Sequence, residues 1–284
     1  MSTVLLATAI MTGLGAFFGL GLAIAHRFLR VEEDPRLDLL VEKLPGSNCG
    51  ACGEAGCRAF AEQLLAGMQT PRGCTVAADT DIEVIAAFLG VDPGRQEKRV
   101  ARLHCAGGIG AARQIAEYEG FSSCRAAHLV GGGGKGCSWG CLGLDDCMVA
   151  CTFDAIHMNE ERLPVVDVDR CTACNDCVEA CPRDLFEILP LSHALIVQCK
   201  APLEGDEARA ICRVACDACG RCAQDAAPGL VRMEGNLPVV DYAAGGPATA
   251  AATLRCPTAA IVWVERAQFA PTTSPARGSA VSLD

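Results

Sequence analysis

The sequence predicts an α+β protein in three parts: an apolar N-terminal helix, a small helical domain, and two tandem copies of a small unit built from short helices and hairpins. Three observations predict it. Residues Val4 to Ala25 carry no charged side chain. The 20 cysteines fall into spaced groups. A shift of 75 residues lays the last third of the chain on the part before it.

Composition narrows the options. The chain has 284 residues, room for two or three small domains. Aromatic residues are only 5% and glycine reaches 30 residues, so many small metal-stapled turns are expected in place of one large core. The net charge of −10 argues against a nucleic-acid partner, which needs a basic footprint.

The run Val4–Ala25 is long enough to cross a hydrocarbon layer, which needs ~20 residues. Met1, Ser2 and Thr3 precede it, without the Lys or Arg that opens a secretory signal. Ala23-Ile24-Ala25 resembles a cleavage site, so a removed signal segment is the alternative. His26, Arg27 and Arg30 follow, and a positive flank places the C-terminal side in the cytoplasm. The expectation is a single-pass protein of the inner membrane with its domains on the cytoplasmic side. Gly15 and Gly19 form a GxxxG pattern, which allows close approach of another membrane helix. No Asp, Glu, Lys or Arg interrupts the span, so this chain alone is not expected to conduct an ion. A reducing cytoplasm favours metal ligation over disulfides.

The first cysteine group is Cys49, Cys52, Cys57 and Cys74. Apolar residues Phe60, Ala61, Leu64, Leu65 and Met68 recur at helical spacing, so Cys57 opens a helix and Cys74 returns from a loop after Pro71. Four thiolates from one compact segment fit a [4Fe–4S] cluster; a structural zinc accepts the same donors.

The second group is more specific. Cys171, Cys174, Cys177 and Cys181-Pro182 form the C-x2-C-x2-C-x3-C-P run of bacterial ferredoxins, whose fourth cysteine ligates the other cluster of a pair. The partner run lies upstream at Cys137, Cys141, Cys147 and Cys151, with Leu144 where a cysteine is regular. The crossing rule gives one cluster on Cys137, Cys141, Cys147 and Cys181, and another on Cys151, Cys171, Cys174 and Cys177.

The internal repeat extends this. At a shift of 75, Cys124 falls on Cys199, Cys137 on Cys212, Cys141 on Cys216, Cys147 on Cys222 and Cys181 on Cys256. Cys151, Cys171, Cys174 and Cys177 fall on Ala226, Gly246, Thr249 and Ala252. The second copy has therefore lost one whole ligand set and kept the other. Cys216, Cys219, Cys222 and Cys256 are its expected ligands, with Cys212 the competitor of Cys219. Four [4Fe–4S] clusters are expected in all. Cys105, Cys124, Cys199 and Cys212 remain, either as buried thiols or as a further site. Each unit is expected to hold a hairpin, at 155–158 with 163–168 and at 229–233 with 237–242.

The fold class is thus α+β: a single N-terminal transmembrane helix (1–30), a small helical [4Fe–4S] domain (32–91), a linker (92–136), a two-cluster ferredoxin-like unit (137–190), a degenerate single-cluster unit (191–266) and a disordered tail (267–284). Val130 to Gly136 reads V-G-G-G-G-K-G. A phosphate loop needs Ser or Thr after the lysine, and Gly136 stands there, so the segment reads as a flexible connector. The five histidines are scattered. No catalytic residue is expected in this chain.

The order of motifs resembles the B-subunit family of Rnf complexes, the ion-translocating ferredoxin:NAD oxidoreductases. The likeness is carried by the apolar helix, by P-G-S-N-C-G-A-C-G-E-A-G-C at 45–57 with Cys74, by C-S-W-G-C-L-G-L-D-D-C at 137–147, and by the C-P run. It covers about residues 1 to 265. It implies an electron-relay subunit of an inner-membrane translocase with flavin-bearing and membrane-spanning partner subunits and soluble ferredoxin as donor or acceptor. It also implies ligation by the twelve cysteines from Cys49 to Cys181 in the first two groups. A cluster subunit of another membrane reductase or hydrogenase is the alternative. The extra single-cluster unit departs from shorter members of the family.

Overall fold

The structure is a computed structural model that describes residues 2–29, 34–243 and 245–269. Arg30 of the basic flank and residues 270–284 of the expected tail lie outside the described residues.

Helix α1 spans Ser2–Leu29. Its stretch Leu5–Phe28 is long and apolar enough to cross a membrane, with mean hydropathy 1.9. Large apolar side chains such as Phe17, Leu22 and Phe28 are exposed. In a membrane, lipid or a partner helix covers such a surface.

The helical domain follows as α2 (Arg36–Lys43), α3 (Cys57–Leu65) and α4 (Asp79–Leu89), with a 3₁₀ turn Pro71–Gly73 before Cys74. The expected helix after Cys57 is present. Asn48 caps it, its Oδ1 accepting from the Cys57 backbone N–H at 2.9 Å, which satisfies one of the orphan donors of a helix start. Leu37, Leu40, Phe60, Leu64 and Ile85 form the core, and Cys52, Cys57 and Cys74 pack against it. Ile85 is fully buried. Ile85→Ala is expected to cost about 2–5 kcal/mol through lost contacts and a cavity. Hydrogen exchange over α2–α4 should speed accordingly, and unchanged protection there would contradict this core.

The first α+β unit begins earlier than its cysteine run. Strand β1 (Arg99–Leu103) is followed by α5 (Cys124–Leu129), α6 (Asp146–Val149), β2 (Ile156–Met158), β3 (Pro164–Val166), α7 (Asp176–Ala180) and β4 (Phe186–Pro190). β2 and β3 form the expected hairpin, Ile156 opposite Val166. β1 and β4 pair antiparallel, Leu103 opposite Phe186 and Arg99 opposite Pro190. The expected linker covers residues 92–136, yet Val100, Ala101, Arg102 and Leu103 are buried. The apolar positions of β1 cover one side of the unit, and Arg102 donates to the Arg266 carbonyl oxygen at 2.5 Å. The unit therefore starts near residue 99.

The glycine run after α5 is also no loose connector. Gly131, Gly132, Gly133 and Gly134 all take positive φ. A Cβ on Gly134 would lie 2.1 Å from the Ala116 carbonyl oxygen, so only glycine fits. The turn carries Lys135 inward, where it is 9% exposed.

The second unit repeats the plan with β5 (Leu195–Val197), α8 (Gly205–Ile211), α9 (Arg221–Asp225), β6 (Val231–Glu234), β7 (Leu237–Val240), α10 (Ala251–Leu254) and β8 (Ile261–Trp263). β6 and β7 form the second expected hairpin, and β5 pairs with β8. Where the first unit has its Cys177 helix, the second has α10 with Ala252 buried. Ala252 joins Leu195, Leu230, Val231 and Ile261, with Ala226, Tyr242 and Trp263 packed on them. Apolar side chains thus fill the place of the lost ligand set. The Tyr242 hydroxyl accepts from the Leu195 N–H at 2.7 Å, satisfying its polar end.

The chain then returns to the first unit. Gln268 pairs with the Leu103 backbone, its Oε1 accepting from the N–H at 2.9 Å and its Nε2 donating to the carbonyl at 2.6 Å. Residues 267–269, read as the start of a disordered tail, are therefore anchored.

Candidate iron–sulfur sites

All 20 cysteines are free of disulfides. Cys151, Cys171, Cys174 and Cys177 line one cavity, together with Ala101, Ile156 and Ile188. The C-x2-C-x2-C wrap depends on left-handed turns beside its middle cysteine, at Ala173 (φ 60°) and Asn175 (φ 79°). The Ala155 N–H donates to Cys151 Sγ at 3.4 Å. Burial pushes the Cys177 thiol up to about 12, with Cys171, Cys174 and Cys151 beside it adding to the rise. Iron reverses that preference because a coordinated thiol is deprotonated outright, so loading the site releases protons.

The partner run keeps the same backbone wrap without its middle cysteine. Gly143 (φ 71°) and Asp145 (φ 60°) flank Leu144 as Ala173 and Asn175 flank Cys174. The cavity here has its fourth thiol from Cys124, at the start of α5. Cys124, Cys141, Cys147 and Cys181 line a single cavity with Leu142, Leu185 and Phe186. Ser123 Oγ donates to Asp146 Oδ2 at 3.0 Å, and so does the Arg125 N–H. These two bonds pin the start of α5 to the ligand loop. Burial pushes Cys141 up to about 12 and raises Cys147, with the Cys141 and Cys124 thiols adding to the rise. Cys137, the expected fourth ligand here, lines a different cavity.

In the second unit Cys216, Cys219, Cys222 and Cys256 line one cavity. Ala218 (φ 60°) and Gly220 (φ 70°) repeat the left-handed pair around Cys219, and Cys212 again lies elsewhere. In the helical domain burial raises the Cys74 thiol, the N–H groups of Val76 and Ala77 point at its sulfur, and Cys52 and Cys57 are close enough to be felt. Cys49 is half-buried on the loop beside Asn48. One more cavity is lined by Cys105, Cys137, Cys199 and Cys212. The sequence pattern assigns no cluster to Cys105, Cys124 or Cys199.

The four thiol-lined cavities of the two units are alike in size, about 20, 20, 20 and 10 Å³. Among the described residues no three His, Cys, Asp or Glu side chains close on one point as a single metal ion requires. Four thiols line each of these cavities. Rings of thiols with backbone N–H groups aimed at sulfur fit cubane iron–sulfur clusters.

Fold and donor set together define an iron–sulfur electron-transfer protein built from ferredoxin-like units behind an apolar helix. Family models agree: residues 44–76 match a putative Fe-S cluster domain, and residues 164–187 match a 4Fe-4S binding domain. The chain is 39% identical over 242 residues to the B subunit of the Na(+)-translocating ferredoxin:NAD(+) oxidoreductase complex of Acetobacterium woodii, covering 85% of this chain and 73% of that one. It is 37% identical over 263 residues to the B subunit of the proton-translocating ferredoxin:NAD(+) oxidoreductase complex of Clostridium ljungdahlii, covering 92% and 93%. It is 34% identical over 242 residues to the B subunit of an ion-translocating oxidoreductase complex of Methanosarcina acetivorans, covering 85% and 92%. The chain belongs to the B-subunit family of Rnf-type ion-translocating oxidoreductase complexes.

Proposed function

We propose that the chain relays single electrons between soluble ferredoxin and the flavin-bearing and membrane-spanning subunits of an Rnf-type complex, from the cytoplasmic face of the inner membrane. The observation that carries the reading is the succession of thiol groups, one gathered in the helical domain and then the thiol-lined cavities through the two units. The domains meet at their ligand loops: Thr75, next to Cys74, donates through Oγ1 to the carbonyl oxygen of Thr172 at 2.7 Å, and Thr172 lies between Cys171 and Cys174.

Four ligand sets belong to this proposal: Cys49, Cys52, Cys57 and Cys74; Cys151, Cys171, Cys174 and Cys177; Cys124, Cys141, Cys147 and Cys181; and Cys216, Cys219, Cys222 and Cys256. Bound, each [4Fe–4S] cluster supplies a one-electron couple whose potential follows charge, hydrogen bonds to sulfur and exposure. The protein sets those variables. Backbone N–H groups point at Cys74, Cys151 and Cys181. Apolar side chains such as Leu185 and Ile188 line the cavities. The apolar helix holds the relay at the membrane, and Gly15 and Gly19, one turn apart with open space where a Cβ would sit, leave a face on which a partner helix can pack.

The test is addition of reduced ferredoxin to the anaerobic complex in its own membranes. Bleaching of the cluster absorbance, reversed by NAD only when the flavoprotein subunits are present, is the expected result. A colourless zinc protein, or clusters indifferent to ferredoxin, would overturn the proposal.

A further inference from the structure

The cavity left over from those four sets lies between the two ferredoxin-like units. Its thiols come from four separate segments. Cys105 follows β1 and Cys199 follows β5, the equivalent strand of the second unit. The equivalence is structural: the His104 N–H bonds to the Leu185 carbonyl and the Gln198 N–H to the Ala260 carbonyl, and Leu185 and Ala260 each stand just before the closing strand, one at β4 and one at β8. Cys137 and Cys212 are equivalent in the repeat. Each unit therefore gives the same two thiols, and the four face one another across the boundary.

The boundary is built to hold them. The Ala106 N–H donates to the Gln198 carbonyl at 3.1 Å, next to Cys105 and Cys199. Arg113 N–H bonds to the Ile211 carbonyl and Arg213 N–H to the Ala111 carbonyl, tying residues 111–113 of the first unit beside Cys212. All four thiols are buried, between 6% and 9% exposed. Small residues such as Gly107, Ala112 and Gly140 line the space close to the thiols, and larger side chains, among them Lys135, Trp139 and Ile211, complete the lining. A Cβ at Gly107 would lie 3.0 Å from Cys212 Sγ and 3.7 Å from Cys105 Sγ, and one at Gly140 would lie 3.3 Å from Cys137 Sγ and 3.6 Å from Cys105 Sγ. The Cys141 N–H donates to Cys105 Sγ at 3.3 Å.

We infer that Cys105, Cys137, Cys199 and Cys212 hold a fifth [4Fe–4S] cluster shared by the two units. Isolated buried thiols are ordinary core residues, but those do not gather as two symmetry-related pairs around a space the size of the other cluster cavities. The inference rests on the reading of this chain as a cluster relay, and it gives the second unit an electron route. Cys141 ligates on one side of the boundary, and its N–H touches Cys105. Cys216 ligates on the other, and its N–H points at Cys199. An electron passing this way reduces one cluster as it oxidises its neighbour, with no bond made or broken.

The test is iron, acid-labile sulfide and zinc on the full chain, purified and reconstituted anaerobically in detergent. About twenty irons per chain are expected for five clusters. The double variant Cys199→Ser/Cys212→Ser should keep about sixteen, with the spin count of the fully reduced protein falling by one cluster. About sixteen irons in the unaltered chain would overturn the fifth cluster while leaving the relay reading in place. A zinc protein without sulfide would overturn both. Should the double variant fail to fold, the iron count of the unaltered chain still decides.

Discussion

Cys124→Ser is expected to empty the cavity of Cys141, Cys147 and Cys181, removing about four irons and leaving the Cys151 set loaded. Cys137→Ser is expected to spare that cavity. The contrast follows from the backbone. The loop from Cys141 to Cys147 keeps the left-handed pair that wraps a cubane, Gly143 and Asp145, yet presents Leu144 where the middle thiol belongs. A fourth thiol must come from outside the loop, and the bonds from Ser123 Oγ and the Arg125 N–H to Asp146 Oδ2 hold Cys124 in place. Cys137 faces the boundary between units. The loss should also separate the helical domain from the second unit, because one member of a series is gone: clusters on the near side should still be reduced by ferredoxin, and the Cys216 set should fill far more slowly. Freeze-quench spectra of the two variants make the comparison. Retention of the Cys141 cluster in Cys124→Ser, with its loss in Cys137→Ser, would reverse the assignment.

The sequence pointed to Cys137 and left Cys124 unassigned, for a physical reason. Spacing along the chain reports ligands that share one loop, and Cys171 to Cys181 and Cys216 to Cys222 are of that kind. A ligand delivered by a separate helix leaves no spacing to read. The repeat misled in a related way. A constant shift of 75 matched Cys124 with Cys199, but the first unit carries an insertion between β1 and Cys137 that the second lacks. The true partner of Cys199 is Cys105, and the signal was present in the short apolar runs before each: Arg99–Leu103 and Leu195–Val197. The first of these is interrupted by Arg99 and Arg102, so it read as a linker. Only its pairing with β4 marks it as a strand. The hairpins at Ile156–Met158 with Pro164–Val166 and at Val231–Glu234 with Leu237–Val240 were legible because their pairing is local. The two outer sheets pair the beginning of each unit with its end, and no local pattern encodes that.

Lys135→Met is expected to lower the potential of the cluster between the units by on the order of 100 mV, and Lys135→Arg to restore most of it. The lysine sits in the V-G-G-G-G-K-G run, where a phosphate-binding role fails for want of a following Ser or Thr. Its place follows from the turn before it, whose four left-handed glycines drive the side chain inward. There the Lys135 ammonium donates to the Gly107 carbonyl and, at 2.5 Å, to the Cys141 carbonyl. Those two residues belong to the segments that frame the Cys105 and Cys141 sites. Burying an ammonium is costly unless something nearby favours it. A cluster held by four thiolates is anionic and gains another negative charge on reduction, so a buried cation beside it stabilises the reduced form most. One unit charge roughly 7 Å away at an effective dielectric near 20 is worth about 2–3 kcal/mol, the free energy of a one-electron shift of that size. Methionine keeps the length and packing of the stem while removing the charge. A redox titration followed by electron paramagnetic resonance reads the change, with the cluster of the helical domain as the internal reference. Unchanged potentials at every cluster in Lys135→Met would mean that the ammonium acts only as a clamp on two carbonyls, with stability and not redox poise as its effect.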